Sequence, residues 1–177
     1  MRPHSTITPL FTADQIAVRV ATIANKVVKS MPKDVMVVVL LRGSFMFAAD
    51  LIRGLHAVGM HPQVDFLTLA SYGKNTTSSG TVDIVRDLTE SMEGRDVLII
   101  DDILESGRTL SFAYELVQSR GARSIQIAVL LEKPGKRKVE IQADYVGFST
   151  PDLFVVGYGL DYANYYRELP YIGTVVL

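Results

Sequence analysis

The stretch Val97–Leu110, VLIIDDILESGRTL, carries the densest chemistry in the chain. An apolar run ends in two acids, Asp101 and Asp102. Glu105, Ser106, Gly107, Arg108 and Thr109 follow, and an apolar helical pattern opens there. Adjacent carboxylates can accept hydrogen bonds from vicinal sugar hydroxyls, directly or through a metal ion. A helix start offers unpaired backbone N–H groups and the positive end of a dipole. Glycine lets the backbone approach an anion closely, and the hydroxyls of Ser106 and Thr109 add donors. The constellation suits a molecule with a diol and a phosphate, such as a ribose 5-phosphate. It is not a Walker loop, because the glycine spacing and the lysine are missing. A receiver-type module also ends a strand in two acids. It places that strand near its start, however, and here the strand lies past mid-chain with no suitably spaced aspartate after it.

The elements that must position these residues are written in the apolar periodicity. Thr12 and Gln15 have capping-box spacing, and Ile16, Val20, Ile23 and Val27 recur at helical intervals, predicting a helix over Ala13 to Ser30. Val35 to Leu41 is continuously apolar, the habit of a strand buried on both faces in a parallel sheet. Phe45 to Leu55 predicts a helix packed back on that sheet, and Val64 to Ala70 the next strand. Ser71 to Gly80 is polar and small, and is expected to form a mobile loop, with a returning strand over Thr81 to Leu88. Asp96 to Ile100 and Ser124 to Leu131 predict two more buried strands, separated by a helix that opens at Gly107 and ends near Gly121. Short strands are expected at Tyr145 to Phe148, Phe154 to Gly157 and Thr174 to Leu177. Strands alternating with helices predict an α/β fold with a mostly parallel central sheet flanked by helices.

Composition narrows the function classes. The chain has 177 residues, 48% of them apolar, enough for one domain with a sizeable core. The net charge of -1 argues against a nucleic-acid partner. There are no cysteines, which removes thiolate nucleophiles and cysteine-bound zinc. With only three histidines, a metal is expected to be a hard cation on carboxylates. The N-terminal residues carry no apolar core of a signal peptide, and the Val35–Leu41 run is too short to span a bilayer. A cytoplasmic protein with no membrane partner is the expectation.

VLIIDDILESGRTL resembles the phosphoribosyl pyrophosphate signature of type I phosphoribosyltransferases. LLRGSFMFAADL (Leu40 to Leu51), DFLTLASYG (Asp65 to Gly73), LLEKPGKR (Leu130 to Arg137) and PDLFVVGYGLDYANYYRELPYIG (Pro151 to Gly173) resemble hypoxanthine-guanine phosphoribosyltransferases, in the same order. The resemblance implies the type I fold as a single domain. Its core would span about residues 10–150, and a small hood formed by the C-terminal segment, about 151–177, would bind the purine. It implies purine salvage: transfer of the 5-phosphoribosyl group from phosphoribosyl pyrophosphate to hypoxanthine, and to guanine, with Mg²⁺ as cofactor. A homodimer or homotetramer is implied as well. The alternative within the same fold is a regulator that senses phosphoribosyl pyrophosphate.

Residue by residue, the resemblance implies that Asp101 and Asp102 hold the ribose hydroxyls and Ser106, Gly107, Arg108 and Thr109 the 5′-phosphate. Glu105 takes the position of the general acid/base near purine N7, where the family usually has aspartate. Lys133 would donate to the 6-oxo group, which disfavours adenine. Phe154 would stack on the purine and Val155 would offer backbone groups to its edge; without the resemblance, Phe154 reads as core. Leu41, Arg42 and Gly43 match a loop that meets pyrophosphate, through a cis peptide in the family. Asp161 would bind Mg²⁺ together with Asp101, and Arg167 would contact pyrophosphate; a surface ion pair is the other reading of both. Ser71 and Tyr72 would open a loop that closes over the reacting centre and excludes water.

Overall fold

The computed structural model describes residues 6–71 and 82–175. In chain order it contains β1 (Ile7–Phe11), α1 (Ala13–Ser30), β2 (Met36–Leu41), α2 (Phe45–Ala57), β3 (Gln63–Ser71), β4 (Val82–Arg86), β5 (Asp96–Leu104), α3 (Arg108–Ser119), β6 (Ser124–Glu132), β7 (Tyr145–Ser149), β8 (Val155–Val156) and β9 (Ile172–Val175).

Six strands form the main sheet in the order β4-β3-β2-β5-β6-β7. Every neighbouring pair is parallel except the edge strand β4, which runs antiparallel to β3. The continuous apolar runs follow from this architecture, because successive side chains serve opposite faces. Val37, Val39, Leu98, Ile100, Ala128 and Leu130 enter the core under α1 and α2. Met36, Val38, Leu40, Val97, Ile99, Ile127 and Val129 enter the core under α3. Burying each such side chain contributes about 1.5–3 kcal/mol, so both layers reward the same parallel register.

Helix α1 begins where its sequence says it should. The Thr12 hydroxyl accepts from Gln15 N–H at 3.3 Å, and the Gln15 side chain accepts from Thr12 N–H at 2.9 Å. Ile16, Val20, Ile23, Ala24 and Val27 form its buried stripe.

Two expectations are corrected. Strand β5 does not stop at Ile100 but runs to Leu104, because β6 continues beside it and pairs Asp101 with Val129 and Leu104 with Glu132. Both acids are therefore held on a strand and do not begin a loop. A second, antiparallel sheet has the order β1-β9-β8, so its first strand comes from the N-terminal segment and not from the C-terminal one. The Phe11 ring stacks on Phe148 of β7 with centroids 4.1 Å apart, tying the small sheet to the large one. Among the described residues no helix is long and apolar enough to cross a membrane.

Candidate active site

Parallel pairing of β2, β5 and β6 brings their carboxyl ends to one edge of the sheet, the edge where open α/β sheets bind ligands. The loops after Leu41, Leu104 and Glu132 meet there.

The turn from β5 to α3 forms the first wall. Gly107 caps α3 with φ of 82°. A Cβ at that position would lie 2.8 Å from the Ile141 side chain and 3.0 Å from the Val139 carbonyl, so both conformation and space call for glycine. Ser106 Oγ accepts from Arg108 N–H at 3.4 Å. In front of this turn lies a cavity of about 690 Å³ lined by Asp101, Glu105, Ser106, Thr109, Lys136 and Lys138, among others. Arg108 itself is exposed.

Asp101 is buried and lines this cavity, while its neighbour Asp102 packs on the β2–α2 loop. A Cβ on Gly43 would fall 1.5 Å from Asp102 Oδ2, so that loop approaches the acid only because residue 43 is glycine. The Leu41–Arg42 peptide, just before it, is cis. Burial pushes the Asp101 carboxyl well above the usual carboxylate range, and the negative charge of Asp102 pushes it further. Burial also raises Asp102, offset in part by its hydrogen bond with Asp101, by backbone N–H groups and by the positive charge of Arg167. The pair resists carrying two charges unless a cation or hydroxyl donors join it.

Glu105 and Lys133 emerge on the same side, with Lys133 Nζ 3.4 Å from Glu105 Oε2. Lys133 is buried and also lies 3.9 Å from Oδ1 of Asp152, whose Oδ2 pairs with Lys136 at 2.5 Å. A second cavity of about 490 Å³ is lined by Glu105, Lys133, Asp152, Phe154, Val155 and Asp161, among others. Phe154 is 42% exposed and meets Tyr162 edge to face at 5.4 Å. It is not core, and it lies one residue ahead of the two-residue strand β8. Ile103 and Glu105 line both cavities, so Glu105 stands at their shared wall.

Arg167 pairs with Asp161 at 2.8 Å and donates to the Gly159 carbonyl at 2.5 Å. Asp161 also accepts from Asn164 N–H at 2.7 Å. Among the described residues, no three carboxylate or histidine side chains converge as a metal cage. The acids present suit Mg²⁺ nonetheless, since that ion takes one or two carboxylates and completes its shell with water and substrate oxygens. Ser71 ends β3, but its side chain and Tyr72 lie outside the described residues.

Lys136, Lys138 and Asp152 were not anticipated as lining residues. The basic run KPGKRK over 133–138 was the signal available in the sequence.

A family model described as the phosphoribosyl transferase domain matches residues 8–163. The chain belongs to the phosphoribosyltransferase family. Among curated relatives of this phosphoribosyltransferase, the Bacillus subtilis hypoxanthine-guanine phosphoribosyltransferase is 54% identical over 135 residues, covering 76% of this chain and 73% of that protein. The Escherichia coli K12 hypoxanthine phosphoribosyltransferase is 46% identical over 166 residues and 92% of each chain. A crystal structure of a Staphylococcus aureus hypoxanthine phosphoribosyltransferase superimposes with a TM-score of 0.89 at 45% identity, covering 96% of this chain and 91% of that one. The regulatory alternative draws no support from these relatives.

Proposed function

We propose that this phosphoribosyltransferase joins hypoxanthine, and guanine, to the 5-phosphoribosyl group of phosphoribosyl pyrophosphate, giving IMP or GMP and pyrophosphate, as a step of purine salvage. The observation that carries the reading is the place of Glu105. It lies at the wall between a cavity at a helix start and a cavity bearing an exposed aromatic ring and a buried lysine. A sugar phosphate in the first and a purine in the second would meet at that carboxylate.

On this reading the N–H groups at the start of α3 receive the 5′-phosphate, helped by Ser106, Gly107, Arg108 and Thr109 and by the charges of Lys136 and Lys138. Asp101 and Asp102 accept the ribose hydroxyls, which relieves the crowding of two buried carboxyls. Phe154 stacks on the purine and Val155 presents backbone groups to its edge. Lys133 donates to the 6-oxo group; adenine offers a donor at that position and leaves the buried ammonium without an acceptor. Glu105 takes the N7 proton as the base attacks ribose C1. Leu41, Arg42, Gly43 and Arg167 receive the departing pyrophosphate. Mg²⁺ would be held by Asp161 and Asp101 with substrate oxygens, and when bound it neutralises charge on the leaving group. The small sheet β1-β9-β8 together with residues 151–162 forms the hood over the base. A homodimer or homotetramer working in the cytoplasm completes the reading.

The test is a spectrophotometric assay with phosphoribosyl pyrophosphate, Mg²⁺ and each of hypoxanthine, guanine and xanthine. Turnover with hypoxanthine is expected. A protein that turns over none of these bases would overturn the proposal and restore the regulatory reading.

A further inference from the structure

Beside the turn that carries Glu105 lies Arg137, which lines neither of the two cavities that Glu105 faces. The strand β6 ends at Glu132, so the carbonyls that follow at the end of β5 run out of ladder partners. Peptide carbonyls at such an end need other donors. The segment 133–139 supplies them in order. The Leu104 carbonyl accepts from Lys133 N–H at 3.0 Å and from Arg137 Nη1 at 2.9 Å. The Glu105 carbonyl accepts from the same Nη1 at 2.7 Å. The Ser106 carbonyl accepts from Lys138 N–H at 2.9 Å and Val139 N–H at 3.2 Å. The Arg137 guanidinium is itself held, with Nε donating to the Ile141 carbonyl at 3.3 Å and Nη2 paired with the Glu132 carboxylate.

Arg137 is thus the one side chain in this set that grips the backbone on both sides of the Glu105 Cα. A planar fork with five donors can serve these acceptors at once, whereas an ammonium offers a single point of charge. The Glu105 carboxylate has several rotatable bonds of its own, so the direction of its Cα–Cβ bond decides which cavity wall it reaches.

We infer that Arg137 is a positioning residue for proton transfer, fixing the main chain around Glu105 so that its carboxylate stands at the shared wall beside Lys133, with Glu132 as its anchor. This rests on the role of Glu105 in the proposed reaction. Arg137→Met is expected to lower kcat roughly tenfold to a hundredfold, the scale of a catalytic group displaced by about 1 Å. The KM for phosphoribosyl pyrophosphate should stay nearly unchanged. Arg137→Lys should restore part of the loss. In a Glu105→Gln background the same Arg137→Met substitution should cost little further, since two residues acting as one unit are not additive.

Thermal unfolding of each variant is measured alongside. If Arg137→Met does not fold, Glu132→Gln loosens the anchor alone and should give a smaller loss with the same selectivity for kcat and the same dependence on Glu105. A loss that falls on the KM for phosphoribosyl pyrophosphate, or that repeats in full in the Glu105→Gln background, overturns the inference while leaving the transferase reading intact. An unsubstituted protein with no turnover removes both.

Discussion

The two cavities that meet at Glu105 are built differently. The one before α3 has its floor on regular elements, namely a strand end, a left-handed glycine and the first turn of a helix, with Lys136 and Lys138 reaching in from the segment after β6. The one under residues 152–161 is made of long side chains held by ion pairs, with Lys133 between Glu105 and Asp152 and Lys136 bracing Asp152. A backbone cradle is fixed by folding itself. A cavity of long side chains depends on partners that single substitutions remove. The first is suited to the part of a substrate that does not vary, and the second to the part that is chosen.

Three substitutions sharpen or break this contrast. The largest effect belongs to the shared wall. Glu105→Gln should lower kcat by about a hundredfold or more, the range for loss of a general acid or base. Titration should show binding of phosphoribosyl pyrophosphate nearly intact, and an unchanged kcat would remove Glu105 from the chemistry. Next comes Lys133→Ala, which should raise the KM for hypoxanthine roughly tenfold, in line with about 1.5–3 kcal/mol for a hydrogen bond to a charged group. Steady-state kinetics with each substrate varied in turn checks it, since equal effects on both substrates would dissolve the division between the cavities. The smallest is Gly107→Ala, where a side chain at φ of 82° costs about 1–2 kcal/mol. It should raise the KM for phosphoribosyl pyrophosphate several-fold and leave that for the base alone; a base-selective effect would reverse the assignment of the cavities.

The same contrast decided what could be read without coordinates. Helix α1 was legible to the residue because cap and stripe are both local signals. The strand β2, with its double-sided burial, was legible to within one residue at its start. The end of β5 was misplaced because two aspartates read as a strand breaker, whereas the neighbouring β6 continues the ladder past them. Strand β1 was not foreseen: ITPLF contains a proline and becomes a strand only by pairing with residues some 165 positions away, as in Ile7 with Val175. The cradle could be argued from residue types, since dipole, glycine and hydroxyls have general uses. Lys133, Phe154, Asp161 and Arg167 could not, because a lysine in a turn or an aromatic beside a strand looks the same in many surroundings. Only the resemblance singled them out, and their gathering depends on the long-range pairing of the small sheet.

Ile103 and Glu105 serve both cavities as a party wall. Any attempt to retune which base is accepted by altering that stretch of β5 would disturb the neighbour on the other side. On the proposed reading, redesign of base choice has to come through the opposite boundary, at residues 153–155, which line the second cavity and not the first.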